Sequence, residues 1–440
     1  MNVPRRLIRR WFNPFKLLIL ALVAQVVCLL LWGLTWPIEL SFVVPQDEVQ
    51  PWEAVITDFE KDHPKIHITL VTDPEAGYTT DERKAIYTAD FQANVAKFDL
   101  VYMDIVWPLQ FAGHLKDLNR YIAQDNDVDT SDFLLSELEA GQLDNKLYRL
   151  PMRADVGLLY YRQDLLQEAG LTLPKTFDEL TQVVKDLKAR TKDTDLEVSA
   201  GYLWQGNRYE GLVANFVEIL ETMGETWIDP ESLEVGLDTP QAIEAAELLK
   251  KLIQDNISPT EVITYREKES LERFKEGQAI FLRGWPYFWT DLQDSELSDK
   301  VAIALPFSVH NSPGIGCRGG WGFGIPKNAS HPHEAWEAIK YFTSEKAQKQ
   351  FVLESGYLPS RSALFKDPEI EAAYPQMPLL LEYLEKSSIF RPFIEQYGEV
   401  SEILQNALSD VLSGQQLPAA AMQEAQAKTE ELLRPLSQGG

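Results

Sequence analysis

The sequence predicts an α/β protein of two lobes that follows an N-terminal transmembrane or signal segment. Three observations carry this reading. The chain has 440 residues, more than one hydrophobic core usually supports. Strand-like and helix-like apolar patterns alternate along it, an order that folds into a parallel or mixed sheet with helices on both faces. Near the start, an uncharged apolar run follows a cluster of basic residues, the pattern of export with the charged end held back.

Residues 1–16 carry five cations, Arg5, Arg6, Arg9, Arg10 and Lys16. Leu17–Leu34 is free of charge for eighteen residues. A helix of that length rises about 27 Å, enough to span a bilayer. A secretory apolar region is usually shorter, about 7–15 residues, and no A-x-A site follows. Residues 1–37 therefore read as a signal peptide or a membrane anchor, and both stay open. A buried soluble helix would show a polar stripe, which this run lacks.

Ile38–Pro45 reads as the first strand. Trp52, Val55, Ile56 and Phe59 share one face of a helix over 51–61. Ile66–Val71 alternates as a second strand. Phe98–Met103 is short and apolar, like a buried parallel strand. A second region begins near Leu150-Pro151, with a strand over Gly157–Tyr161 and a short helix closed by Gly170. Thr176 is a good helix N-cap, with Glu179 three residues on as a capping-box partner. Helices follow near 208–223, 240–255 and 267–276, with strands over Ala279–Leu282 and Val301–Leu305. Beyond 330 the pattern is helical: 332–343, 345–354, 368–386, 394–412 and the tail. No flexible linker separates the regions, so the chain crosses between lobes several times. Ligands in such α/β pairs sit in the cleft at the strand ends.

Charge excludes some partners. Lysine and arginine total 41 against 67 aspartate and glutamate, a net charge of −26. A body this acidic repels nucleic acid and disfavours anionic substrates, leaving a neutral ligand as the simplest expectation. The two cysteines, Cys28 and Cys317, lie far apart in sequence, and no internal disulfide joins them. No P-loop pattern and no G-x-S-x-G elbow occurs. His331-Pro332-His333-Glu334 looks like a metal cluster, yet Pro332 suits the first position of a helix and no further ligands are near. No metal or cofactor is expected.

An ordered set of motifs points further. They are FDLVYMDIVWPLQF from Phe98, LPMRADVGLLYYRQDLL from Leu150 and YLWQGNRYEGLVAN from Tyr202. FLRGWPY from Phe281, GGWGFGI from Gly319 and GYLPSR from Gly356 complete it. In this order they resemble the extracellular solute-binding proteins of ABC importers, in their maltose/trehalose branch. The resemblance covers nearly the whole chain after residue 38. It implies the two-lobed type II periplasmic-binding-protein fold. It places 38–153 with 321–359 in the N-terminal lobe, and 154–320 with 360–440 in the C-terminal lobe. It also implies an exported, periplasmic protein, monomeric outside the transporter, that closes on a neutral oligosaccharide or glucoside and delivers it to membrane permease subunits. Such a protein is not an enzyme. A membrane-tethered sugar sensor and a glycoside hydrolase are the alternatives.

Sugar hydroxyls favour charged acceptors and fixed donors, and sugar C–H faces favour flat aromatic area. Asp104 follows the third strand and faces the expected cleft. Asp155 stands at a crossing where the family has a sugar-binding aspartate, with Arg153 beside it. Glu48 occupies a loop where the family often has a ligand-binding acid. Arg83 is carried over by spacing, and Arg391 matches a late arginine that holds a sugar hydroxyl. Trp285 is the best stacking platform, with Tyr287 closing its motif. Trp321 is similar, and Gly320 before it would offer its N–H. Trp204 and Tyr209 divide evenly between ligand contact and core packing.

Overall fold

The computed structural model describes residues 37–73, 79–95, 97–125, 128–192, 198–309 and 312–437. The expected export or anchor run 17–34 lies outside the described residues. No helix among those described is long and apolar enough to cross a membrane.

Two sheets organise two α/β bodies. In the first body, Ile38–Val43 pairs in parallel with Ile66–Val71, Ile38 opposite Ile66. Val101–Asp104 pairs antiparallel with the long strand Gly316–Gly324, which also pairs with Leu150–Val156. In the second body, Val301–Ala304, Leu158–Arg162, Ala279–Gly284 and Ala200–Leu203 form one sheet in that order. Leu150–Val156 belongs to the first sheet, and after Gly157 the same chain enters the second. The bodies are thus joined by continuous strand rather than by linker.

Most elements fall where the apolar pattern puts them. The helix Val49–Asp62 buries Trp52, Val55, Ile56 and Phe59 on one face. Gly170 ends the helix Gln163–Ala169 in the left-handed region, where glycine escapes the Cβ penalty. The Thr176 hydroxyl accepts the Glu179 amide, but the Glu179 carboxylate turns to the amide of Lys175, so the reciprocal half of the box is missing. Pro332 opens the helix Pro332–Phe342, and the His331 ring faces Asp99 at 3.4 Å.

One expected helix is split in two. The region 368–386 is not one helix but two, Pro368–Ala373 and Met377–Lys386. Pro375 separates them, because it lacks an N–H and pushes the residue before it out of helical conformation. Gly320 lies within the nine-residue, fully buried strand Gly316–Gly324.

Candidate functional site

The strands Ile38–Val43 and Val101–Asp104 deliver their C-terminal ends to one place. Asp104 is the last residue of its strand and pairs with Trp321 across the ladder. Glu48 lies in the turn between the first strand and the first helix. Arg153 sits opposite Trp321 on the other side. Against these, the second body presents the start of the helix Glu210–Thr222, the start of the helix Glu267–Lys275, and the turn after Ala279–Gly284. Between the two lies a cleft of about 460 Å³.

Two buried charge networks build its floor and one wall. Arg153 donates to Glu48 Oε1 at 2.8 Å and to the Tyr102 hydroxyl at 3.1 Å, and pairs with Asp155. Glu48 is itself buried and also accepts Trp52 Nε1 and the Tyr102 hydroxyl. Burial pushes the Asp155 carboxyl up to about 7, opposed by Arg153 and reinforced by Glu48 and Glu137. In the second network Arg391 forks, with 2.9 Å to Asp104 and 2.7 Å to Glu210. Asp104 also accepts the Val106 amide. Glu210 further accepts the hydroxyls of Tyr397 and Ser401. Arg391 thus ties the first body to the helix Glu210–Thr222 of the second.

Three aromatic rings carry guanidinium groups on a face. Arg83 lies 3.6 Å over Trp321, Arg153 3.9 Å over Tyr357 and Arg283 4.0 Å over Trp285. Such pairs are attractive through the ring quadrupole and hold the rings against tilting. Trp285 remains half-buried, its N–H 3.4 Å from Glu267, and Tyr287 packs on Tyr357 at 4.5 Å.

Several buried polar atoms of the cleft have no hydrogen-bond partner among the described residues. They are Arg83 Nε and Nη1, Arg391 Nε, Arg266 Nε, Asp155 Oδ1 and the Tyr209 hydroxyl. Buried polar groups are nearly always paired, so atoms left open around one cavity mark where a polar guest completes them. Nine carboxylates and five cations line the cavity, a balance that disfavours an anionic guest.

The cleft brings together Glu48, Arg83, Asp104, Asp155, Tyr209, Trp285, Tyr287, Trp321 and Arg391. Two expected residues are elsewhere. Trp204 is fully buried in the core, its N–H on Ser258 at 3.0 Å, so it has no face to offer. Gly320 stands in the ladder opposite Ala154, and a Cβ there would point at Glu137, 2.5 Å from its carboxylate. The neighbouring Gly319 lines the cleft instead. Sequence reasoning missed Tyr357, Glu210, Arg266 and Glu267. Tyr357 lies inside the motif GYLPSR and Glu210 inside YLWQGNRYEGLVAN, so the signal was present but not separable from its neighbours.

The family model described as bacterial extracellular solute-binding protein matches residues 45–349. The chain belongs to that family. A probable ABC transporter-binding protein of Deinococcus radiodurans is 28% identical to this solute-binding protein over 350 residues, 78% of this chain and 82% of the relative. The structure of maltose-bound T. maritima MalE3 superposes with a TM-score of 0.82 at 29% identity, covering 90% of this chain and 100% of the other. A solute-binding protein from Agrobacterium radiobacter K84, in complex with ribitol, superposes with a TM-score of 0.79 at 25% identity over 90% and 99%. Family membership places this solute-binding protein outside the cytoplasm and makes a captured solute the occupant to look for in the cleft.

Proposed function

We propose that the chain is the substrate-capturing subunit of an ABC sugar importer of the maltose/trehalose kind, and that it is not an enzyme. Its cargo is a neutral disaccharide or glucoside, in the range of trehalose, maltose, sucrose or glucosylglycerol. The lobes divide as 38–153 with 321–359, and 154–320 with 360–440. Residues 17–34 take the chain across the membrane, and permease subunits receive the sugar.

The observation that carries this reading is the pairing, in one cleft, of flat aromatic rings with unpartnered donors and an unpartnered carboxylate oxygen. Trp321 and Trp285 come from the two sides and offer stacking area. Arg83 Nε and Nη1, Arg391 Nε, Asp155 Oδ1 and the Tyr209 hydroxyl supply donors and an acceptor, the complement of a ring of hydroxyls. The lining is net acidic, which suits a guest without negative charge. Binding selects the closed form because residues from both bodies touch the same guest. The maltose and ribitol complexes of the two structural relatives point to the same polyhydroxylated class.

Calorimetry against neutral mono- and disaccharides, with the sugar recovered and analysed, tests the proposal. Micromolar binding of a sugar recovered intact is the expected result. Cleavage of the sugar would move Asp104 and Asp155 into catalysis. No binding to any sugar would sink the cargo class.

A further inference from the structure

The helix Glu210–Thr222 meets the cleft with its N-terminal end, where backbone N–H groups need acceptors. Its N-cap position is Tyr209, which makes no side-chain cap; serine, threonine, aspartate and asparagine are the residues suited to that task. The missing acceptor comes from the other body. Asp81 Oδ2 accepts the Glu210 amide at 3.1 Å, from 129 residues away in the sequence.

Asp81 belongs to the helix Thr80–Ala93. This helix packs on the first body, where its Tyr87 hydroxyl accepts the amides of Val43 and Tyr102. It needs nothing from Asp81 for its own start. Thr79 and Glu82 close a full capping box there, so the Asp81 carboxyl is free to reach across. Lys84 reaches the second body too, its ammonium filling the space that a Cβ on Gly398 would need. Arg83, on the same turn, lies over Trp321 with Nε and Nη1 unpartnered among the described residues. One turn of helix therefore faces the guest with one side chain and grips the opposite body with its neighbours.

The charged groups around Asp81 set the strength of this grip. Glu210 faces it from the helix it caps, Asp104 from the strand Val101–Asp104, and Lys84 from its own helix. Arg391 already holds both Glu210 and Asp104. A third carboxylate beside these two is repelled when charged. The bond to the amide needs only an acceptor oxygen, which the protonated carboxyl keeps. Burial first, then Glu210 and Asp104, push the Asp81 carboxyl from 3.8 up to about 6, against the pull of the Glu210 amide and Lys84.

We propose that Asp81 is a positioning residue for capture, a latch that holds the two bodies closed by capping the helix Glu210–Thr222 across the cleft and that grips harder when protonated. This rests on the reading of capture by closure. Opening returns Asp81 to water and to its ordinary value, so the closed form binds the proton more tightly than the open form. The proton's contribution to closure is full below about pH 4 and is lost as pH rises through about 6. The ratio of closed to open form should be about tenfold larger at pH 5 than at pH 7.5.

Hydrogen exchange on the full chain without sugar, resolved to the Glu210 amide by mass spectrometry, gives the test. The parent, Asp81→Asn and Asp81→Ala are compared at pH 5 and pH 7.5, each rate referred to that of the unfolded chain at the same pH. The parent should be about tenfold better protected at pH 5. Asp81→Asn keeps an acceptor and cannot ionise, so its protection should be the same at both and should exceed the parent's at pH 7.5. Asp81→Ala should exchange about threefold faster than Asp81→Asn or more, the usual worth of a cap, and should scatter X-rays as a more open particle. Equal protection in the two variants would show that packing alone shelters the amide, and would overturn the latch. A pH dependence in Asp81→Asn as steep as the parent's would overturn the role of the proton. One radius of gyration for all three chains would mean that the cap does not hold the bodies closed, and would also overturn the latch. Sugar is absent throughout, so a failed cargo proposal leaves every outcome readable.

Discussion

Arg391 and Asp104 form a buried ion pair, 2.9 Å long, between a loop late in the chain and the end of a first-body strand. The same guanidinium holds Glu210 at 2.7 Å. Arginine can fork to two carboxylates, which lysine cannot do with the same geometry. Arg391→Ala leaves two carboxylates buried without their cation, a change that costs about 3–5 kcal/mol when a buried pair is broken. Urea unfolding should show that loss, and Arg391→Lys should recover only part of it. Because the pair links the two bodies, the Ala variant should also scatter X-rays as a more open particle without sugar. An unchanged radius of gyration would mean that the remaining contacts hold the bodies alone.

The Asp155 carboxyl is pushed up to about 7, first by burial and then by Glu48 and Glu137, against the pull of Arg153. Its ordinary value is 3.8. The folded chain therefore binds this proton more tightly than the unfolded chain. The stability it contributes is full below about pH 4 and is lost as pH rises toward 7. Asp155→Asn cannot ionise, so it lacks that slope. The variant should gain on the parent by roughly 1–4 kcal/mol between pH 4 and 7. Loss of the Arg153 contact adds an offset that does not change over this range, because arginine stays charged. Parallel stability curves would show that Asp155 is ionised throughout.

Glu218 joins the Trp285 platform to the strand between the bodies. It holds Arg283 through both oxygens, at 2.6 and 3.2 Å, and accepts the Cys317 amide at 2.9 Å. Gly157 is needed beside it, since a Cβ there would sit 1.9 Å from Glu218 Oε1. Gly157→Ala should therefore destabilise by about 1–3 kcal/mol, the usual range for overpacking. Burial also pushes the Cys317 thiol up to about 12, and the thiolate is the reactive form. At pH 8 Cys317 should resist maleimide in the native protein and react after unfolding, as mass spectrometry of the labelled peptide would show. Fast native labelling would mean that this strand opens.

Regular, self-contained elements were legible. Ile66–Val71 alternates, and it is a strand over those same residues. Gly316–Gly324 was not legible, because four of its first five alternate positions are glycine and β-propensity there is low. Its conformation is imposed by pairing with strands on both sides. The site shows the same division. Asp104 ends a strand that the apolar pattern marks, whereas Asp155 lies near the end of Leu150–Val156, which the motif alone pointed to. Glu267 reaches the cleft only because distant segments fold against it, and Tyr357 stands in a motif that does not single it out from its neighbours.

Trp204 and Trp285 test that division directly, since the sequence offered both for stacking. Trp204 is fully buried, with its N–H on Ser258. Trp204→Ala should cost about 3–5 kcal/mol, as for other large core residues cut to alanine, while Trp204→Phe should keep sugar affinity. Trp285 is half-buried in the cleft, and Glu218 would hold Arg283 without it. Trp285→Ala should leave the melting temperature within a few degrees and weaken sugar binding at least tenfold, about 1.4 kcal/mol. Calorimetry and thermal unfolding on the two alanine variants separate the roles. Unaltered affinity in Trp285→Ala would make this ring a structural support and leave Trp321 as the stacking platform.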